Sequence, residues 1–527
     1  MKSADAPPSR NAKPTVAPKE AFAFSRLHLR ILLLLILAIA AGLRFYALPT
    51  TPPGLFVDEA MDGANALEAL ETGHFSVFYP EDNGREGLYV NVAAPFVSVL
   101  GNQAWVLRIP AAIFGFLTVW GVYLLTKELL SEYAGLLAAF FIATSFWHVN
   151  FSRIAFRAIA SPFFLVFALY FLLGAYRALR DRRSYLLPAI AGGILYGLGF
   201  YTYLAYRVTP LLVAIIVIAC AFIGRKEEWF LKWLNAAGIF IFTAALVATP
   251  LALYFIQHPG DFSARSAQVS VFAASNPFAQ TVENIWKTVL MLYVDGDSNW
   301  RHNYPHSPEI FWPVAILMTV GIVMAVRAVF KRTAGNFLVS LIALSWLILA
   351  SLPAFLSNEG VPHGLRAILM IPPAMILAAM GTLAVYSALA TSVPKGALIA
   401  AAIAFLLWLP YQVADKYFVQ WAQNPALAMA FEAWSQNFAD QINAVPRNVP
   451  SIVAIIAPGV SDDRLSMQMV ALRYLTRSYT KKEEDESNIH YYTPKTFNRP
   501  IPPELEGHDF CEQVIAARPR AKVFCIK

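Results

Sequence analysis

The stretch ILLLLILAIAAGLRFYALPTTPPGLFVDEAMDG, residues 31–63, joins an apolar run to a tight group of acids. Residues 28–48 are apolar over a length that can cross a membrane as a helix. Asp58, Glu59 and Asp62 then follow within five residues, close to where that helix leaves the lipid. Acids grouped this closely at the end of a membrane helix raise the question of a functional site near one membrane surface.

The composition of the whole chain indicates a membrane protein. Its 527 residues are 57% hydrophobic and only 14% charged, whereas about a quarter of a typical soluble protein is charged. The sequence therefore predicts an α-helical polytopic membrane protein. The net charge of +7 does not indicate nucleic-acid binding, because the basic residues lie between apolar runs, as cytoplasmic loops require.

The apolar runs predict eleven transmembrane spans in a domain covering residues 28–413. Residues 1–27 are predicted to be a disordered cytoplasmic tail. The first run lies too far into the chain for a cleaved signal peptide and is interpreted as a retained span. The predicted spans are residues 28–48, 106–126, 133–151, 158–177, 185–204, 208–224, 235–256, 310–328, 336–356, 365–388 and 396–413.

The distribution of charge predicts the orientation of these spans. Alternate connections are rich in Lys and Arg, including the segment 177–183, which places them and the N-terminus in the cytoplasm. Residues 49–86 carry eight acids and one Arg, and are therefore predicted to lie outside. The run 88–100 is too short to cross comfortably, so we predict a helix lying on the outer interface.

Residues 414–527 are predicted to form a small extracytoplasmic α/β domain. SIVAIIAP (451–458) and AKVFCIK (521–527) have the pattern of strands, and RLSMQMVALRYLTR (464–477) that of an amphipathic helix. Eleven crossings place this domain outside the cytoplasm. There Cys511 and Cys525 could form a disulfide, with two free thiols as the alternative.

Six arginines lie at predicted outer helix ends, against the positive-inside bias. Each could be an interfacial anchor or a partner of a structural carboxylate. Together with the acids of residues 49–86 they predict a polar site at the outer leaflet, where Arg is suited to bidentate phosphate binding. They are Arg85, Arg153, Arg157, Arg207, Arg301 and Arg366.

Several segments resemble, in the same order, those of the integral-membrane glycosyltransferases of the GT-C fold. PPGLFVDEAMDGANA (52–66) is similar to the first outer loop of the family 39 group, which includes protein O-mannosyltransferases and aminoarabinose transferases. The segments 83–101 and 105–157 resemble the family's interfacial helix and next two spans. PHGLRAILMIPP (362–373) resembles the segment in which a late span of the family begins. The resemblance covers about residues 28–413 and implies a GT-C-like fold.

The resemblance implies an enzyme that transfers a sugar from a polyprenyl-phosphate donor to a lipid, glycan or protein acceptor at the outer face, with inversion. It implies that Asp58 is the general base and that Glu59 helps to hold the acceptor or the sugar. One departure is that RIAFRAIAS (153–161) lacks the second acid that family members often carry there.

The remaining candidate residues are expected to bind substrate. The expected ligands of the donor phosphate are Arg85, Arg153 and Arg157. For Tyr206, the alternative to substrate binding is a structural place in the aromatic belt at the membrane interface. The other substrate-binding candidates are Glu86, Tyr206, Arg207, Arg301, His302, His363 and Arg366.

No metal site is predicted. The spacings of His302, His306 and His363 match no metal-binding pattern. Asp295 and Asp297 form a lone DGD, which is usually a turn. We therefore expect no required cofactor and leave a divalent metal open as an alternative.

The alternative function is a membrane transporter or lipid flippase. Such a protein should have charges deep inside its spans, broken helices and internal repeats, whereas here the ionisable residues gather on one face. A scaffolding protein built around the tail would leave the Asp-Glu loop without a role. The chain has no nucleotide-binding glycine motif.

Gly193 and Gly197 are four residues apart, a spacing that predicts close packing of their helix against a neighbouring one.

Overall fold

The computed structural model describes residues 25–81, 83–333, 335–455, 468–494, 496–497 and 509–526. Most of the predicted tail, residues 1–24, lies outside these ranges. Helices α1 to α10 are Arg26–Phe45, Val57–Thr72, Leu88–Leu100, Ala104–Leu129, Glu132–Ala143, Phe146–Phe151, Ala160–Arg180, Leu186–Gly199, Thr209–Gly224 and Phe230–Gln257. Helices α11 to α21 are Pro259–Gln268, Pro277–Tyr293, Trp312–Lys331, Phe337–Phe355, Ile371–Leu389, Lys395–Ala414, Pro425–Ala430, Ala433–Asn443, Gln468–Leu475, Lys481–Ser487 and Phe510–Ala517. Strands β1 to β5 are Phe78–Tyr79, Arg85–Glu86, Ser451–Ile455, Ile489–Tyr492 and Lys522–Ile526.

Within the described residues, nine helices are long and apolar enough to cross a membrane. They coincide with nine of the eleven predicted spans. The predicted span 133–151 is divided into α5 and α6, because Ser145 accepts the N–H of His148 and starts a new helix. The predicted span 185–204 is represented by the 14-residue α8. Both predicted spans are therefore helical but shorter than expected.

Glycines allow the long helices to pack closely. A Cβ atom on Gly193 or Gly197 of α8 would collide with the carbonyls of Phe240 or Ala244 on α10, which confirms the predicted packing role of this pair. Large apolar side chains such as Phe242, with 70% exposure, cover the outer surfaces of the helices. This is the pattern expected of helices surrounded by lipid.

The last transmembrane helix leads into the C-terminal region. Helix α16 continues as a π-helix over Asp415–Trp421, so it extends past the predicted boundary at residue 413. The three-stranded parallel sheet has the order β4-β3-β5. The predicted strands and helix of the α/β domain are confirmed as β3, β5 and α19, while residues 456–467 lie outside the described ranges.

Alternate residues of β3 pack on opposite faces of this sheet. Ile452 and Ala454 contact the cluster that contains α21, whereas Val453 and Ile455 join the main core of the molecule. Cys511 on α21 and Cys525 on β5 form a disulfide, the first of the two alternatives left open by the sequence. The sheet is thereby tied to the rest of the protein on one face and to α21 on the other.

Candidate active site

Helix α2 begins directly at the acidic motif. Phe56 is its N-cap, and Asp58 and Glu59 lie in its first turn, where the helix dipole favours negative charge. Asp58 is exposed and lines a cavity of about 560 Å³, and Asp62, one turn later, lines the same cavity. The structure therefore aims two acids of this motif, four residues apart, into one space.

Glu59 faces the other way and is fully buried. Its carboxylate accepts two bonds of 2.9 Å from the Arg108 guanidinium of α4. The backbone N–H of Ala155 donates to the same carboxylate at 2.8 Å, and that of Phe56 at 3.3 Å. Glu59 thus joins the start of α2 to α4 and to the segment between α6 and α7, and it does not line the cavity.

The cavity has a charged wall and an apolar wall. Its charged lining consists of two carboxylates and five guanidinium groups, a balance that favours an anionic ligand. These groups are Asp58, Asp62, Arg85, Arg157, Arg265, Arg301 and Arg366. The apolar lining includes Phe156, Leu204, Val208, Val269, Phe272, Leu352, Leu356 and Leu365.

A short hairpin positions two of the cavity's arginines. Strands β1 and β2 pair antiparallel, with Tyr79 opposite Arg85. The Arg85 guanidinium lies 3.5 Å from Asp62 and donates to the Asn65 side chain at 3.2 Å. The next residue, Glu86, bonds the Nε of Arg157 at 3.1 Å, so the hairpin holds both arginines against the cavity.

Arg301 is held by the loop between α12 and α13. Asn150 of α6 donates to the Arg301 carbonyl at 2.8 Å, and the guanidinium lies over the Phe56 ring at 3.8 Å. The nearby Asp58 and Glu432 carboxylates favour its charged form, whereas burial, the largest effect, lowers the pKa of Arg301. Arg301 is therefore placed next to Asp58 at the start of α2.

The same loop also presents His302. Its Nδ1 lies 2.8 Å from an Asp297 carboxylate oxygen, which also accepts the Gly364 N–H at 2.8 Å. The rings of His302 and His363 lie 4.7 Å apart, and both line the cavity. Asp297, His302 and His363 offer ligand atoms within 4.8 Å of one another, so the described residues contain a group able to hold a metal ion.

Burial shifts the pKa values of two cavity residues. Desolvation raises the pKa of Asp62 to about 6, although Arg85 and Arg157 act in the opposite direction. Burial, followed by the neighbouring His302 and arginines, lowers the pKa of His363 well below its usual value. At neutral pH the His363 ring is thus uncharged.

Several predicted site residues lie outside the cavity lining. Arg153 is buried and donates to the carbonyls of Leu43, Arg44 and Thr51. Tyr206 is buried against Gly199 and the aromatic rings of α8. The residues in this group are Glu59, Glu86, Arg153, Tyr206 and Arg207, while the other candidates, Asp58, Arg85, Arg157, Arg301, His302, His363 and Arg366, line it.

Three residues of the site were given no role from the sequence, although Asp62 was noted as a member of the acidic group. Asp62 could have been found from its i, i+4 relation to Asp58, which places both on one helix face. Arg108 is an ionisable residue inside an apolar span, which by itself suggests a special role. Arg265 of α11 gave no such signal, because nothing in its local sequence separates it from a surface residue.

Comparison with known proteins places this architecture in a fold class. The family model described as dolichyl-phosphate-mannose-protein mannosyltransferase matches residues 89–275, about a third of the chain. The structure has the fold of the GT-C membrane glycosyltransferases, as the sequence predicted. No curated protein sequence matches the chain significantly.

Three solved structures illustrate the similarity. The apo oligosaccharyltransferase of Archaeoglobus fulgidus has a TM-score of 0.52 and 14% identity, with 90% of this chain covering 65% of that one. AglB from the same organism, with an inhibitory peptide and dolichol-phosphate, has a TM-score of 0.50 and 14% identity over 89% and 69% of the two chains. ArnT from Cupriavidus metallidurans bound to undecaprenyl phosphate has a TM-score of 0.52 and 13% identity over 87% and 89%. The chain thus spans slightly under two thirds of the first of these proteins.

Proposed function

We propose that this protein transfers a sugar from a polyprenyl-phosphate donor to an acceptor at the outer face of the membrane, with inversion of the anomeric carbon. The observation that carries the proposal is the cavity in which Asp58 stands beside several arginines, next to an apolar wall. Two similar structures are those of proteins bound to dolichol-phosphate and to undecaprenyl phosphate, which supports this donor class.

The donor fits the two walls of the cavity. Its phosphate would lie among the guanidinium groups, of which Arg85 lies 3.5 Å from Asp62 and Arg301 lies over the ring of Phe56, the N-cap of the acidic helix. Bidentate contacts from Arg suit a phosphate and would stabilise it as it leaves. The first isoprene units of the lipid would lie against side chains such as Leu352 and Leu356.

Asp58 is assigned the role of general base. An acceptor hydroxyl or amine would give its proton to the Asp58 carboxylate as the acceptor atom attacks the anomeric carbon. The bond from that carbon to the phosphate oxygen breaks on the opposite side, and the phosphate leaves with the electron pair. The attack from behind the leaving group gives an inverted product. Glu59 is assigned a positioning role, since its ion pair with Arg108 fixes the start of α2.

The proposal is tested with purified protein in detergent, a panel of radiolabelled polyprenyl-phosphate sugars, and candidate lipid, glycan and protein acceptors. We expect transfer from at least one donor and, by NMR of the product, an inverted anomeric centre. A product with retained configuration, or no transfer from any donor in a panel that includes the common hexoses and pentoses, would contradict the proposal.

The phosphate site is tested by the binding of undecaprenyl phosphate to two arginine variants. Arg157 and Arg207 both contact Glu86, but only Arg157 lines the cavity. Arg157→Ala should weaken binding by about 10- to 100-fold, the loss expected for a charge-assisted hydrogen bond. Arg207→Ala is the matched control and should bind as the wild type does. Equal losses in both variants would remove Arg157 from the phosphate site.

A further inference from the structure

The cluster of Asp297, His302 and His363 has the composition of a metal site rather than of an ordinary polar contact. One carboxylate and two imidazoles form a donor set that suits zinc and similar divalent metals. The three residues come from two connections, the loop between α12 and α13 and the segment after α14. Their ligand atoms nevertheless lie within 4.8 Å of one another.

The carboxylate of this cluster is held rigidly. One oxygen of Asp297 accepts the Asn299 N–H at 2.8 Å, and the other accepts the Gly364 N–H at 2.8 Å. Gly364 makes this approach possible, since a Cβ there would lie 3.1 Å from Glu309 Oε1 and 3.3 Å from Trp147 Nε1. The fold therefore fixes one ligand in advance and brings His363, the neighbour of Gly364, to its side.

We propose that Asp297, His302 and His363 bind one divalent transition-metal ion of the zinc class, with an open coordination position on the cavity. Metal–ligand bonds of about 2.0–2.2 Å require the three atoms to close up by shifts of about 1 Å or less. The ion would take the place of the hydrogen bond between His302 Nδ1 and the Asp297 carboxylate. Because His302 and His363 line the cavity and Asp297 does not, the open position faces the cavity.

A metal ion at this site would give the substrate an additional point of attachment. A metal with three protein ligands keeps a fourth position for water or substrate. Arg301 and Arg366 line the cavity alongside the two histidines, so an anionic oxygen bound by them can reach the ion. That substrate role rests on the proposed function, whereas metal binding itself does not.

The test is metal binding by the full-length, chelator-treated protein, using Co²⁺ absorption and titration with Zn²⁺ alone. We expect one ion per chain. Loss of a ligand in His363→Gln should weaken binding by about 100-fold or more, since even substitution of a residue that only hydrogen-bonds to a ligand costs about 10- to 100-fold. Asp297→Asn gives a second ligand variant. His306→Gln is the matched control, because His306 contacts Asp295 at 2.8 Å in the same loop but is 71% exposed.

Thermal unfolding separates ligand loss from misfolding. Zn²⁺ should raise the Tm of the wild type and of His306→Gln, and should leave the Tm of a folded His363→Gln or Asp297→Asn unchanged. Absence of saturable binding by the wild type, or undiminished binding by both ligand variants, would overturn the site. Sugar transfer is measured separately from metal binding. Failure of the metal site is therefore distinguishable from failure of the proposed function.

Discussion

At the scale of single residues, the adjacent acids Asp58 and Glu59 have different surroundings because successive residues of a helix point about 100° apart. Asp58 enters the cavity, whereas Glu59 is enclosed by Arg108 and the Ala155 N–H. One acid therefore faces the cavity, and the other is buried in an ion pair between α2 and α4. Glu59 therefore holds the start of α2 in place, and Asp58 is the exposed acid at that helix end.

Asp62 should make the stability of the protein depend on pH. Its pKa in the fold, about 6, lies above the value of 3.8 for an unperturbed Asp. The folded state therefore holds the proton more tightly, and its stability falls as the pH rises from about 4 to 6. The loss is on the order of 2–3 kcal/mol and remains at neutral pH.

Asp62→Asn, which keeps the shape but cannot ionise, should remove this pH dependence. We expect the Tm of the variant relative to the wild type to be higher at pH 7.5 than at pH 4.5. Thermal unfolding in detergent at the two pH values measures the difference. An identical offset at both values would show that Asp62 is not protonated preferentially in the fold.

At the scale of elements, the ion pair between α2 and α4 decides where the acidic motif points. Glu59→Gln leaves the buried Arg108 guanidinium without its counter-charge, and breaking one partner of such a pair typically costs about 3–5 kcal/mol. We expect a clear loss in the free energy of unfolding, measured by denaturant or heat. This variant should also lower sugar transfer, since Asp58 loses its support.

A partly exposed pair between the end of α4 and the start of α5 provides the control for that prediction. Lys127 and Glu132 lie 3.0 Å apart with side chains 38% and 34% exposed. Glu132→Gln should therefore change stability by no more than about 1 kcal/mol. Equal effects of the two substitutions would mean that the buried pair contributes no more than a surface pair.

The sequence predicted the elements better than the side-chain directions. Long apolar runs identify membrane helices because a helix satisfies its own backbone hydrogen bonds in lipid, and the charge bias grouped the connections that line the cavity. Arg153 and Arg157, however, are only four residues apart, yet Arg157 lines the cavity and Arg153 does not. Arg157 begins a 3-10 turn, whereas the Arg153 guanidinium donates to the carbonyls of residues 43, 44 and 51. The direction of the Arg153 side chain depends on these tertiary contacts, which the local sequence does not reveal.

At the scale of the whole molecule, the C-terminal domain is packed on the site-bearing helix. A Cβ on Gly63 of α2 would lie 2.6 Å from the Tyr474 ring of α19, and Asn102 donates to Glu483 of α20 at 3.2 Å. The domain therefore covers one side of α2. We propose that it limits which acceptors reach Asp58.

The proposed orientation places this domain outside the cytoplasm, where a disulfide such as Cys511–Cys525 is stable. A tag at the C-terminus should therefore be labelled by a membrane-impermeant reagent in intact cells, and a tag at the N-terminus should not. Labelling of the C-terminal tag only after the membrane is permeabilised would contradict the proposed topology.

The central claim, that Asp58 is the base of a sugar transfer, is tested most directly by measuring donor binding and turnover in the same Asp58→Asn preparation. The account predicts unchanged or slightly altered binding of the donor, with kcat reduced by about 100-fold or more. Glu68→Gln, an exposed acid on the same helix outside the cavity lining, should turn over normally. Wild-type turnover by Asp58→Asn would contradict the account.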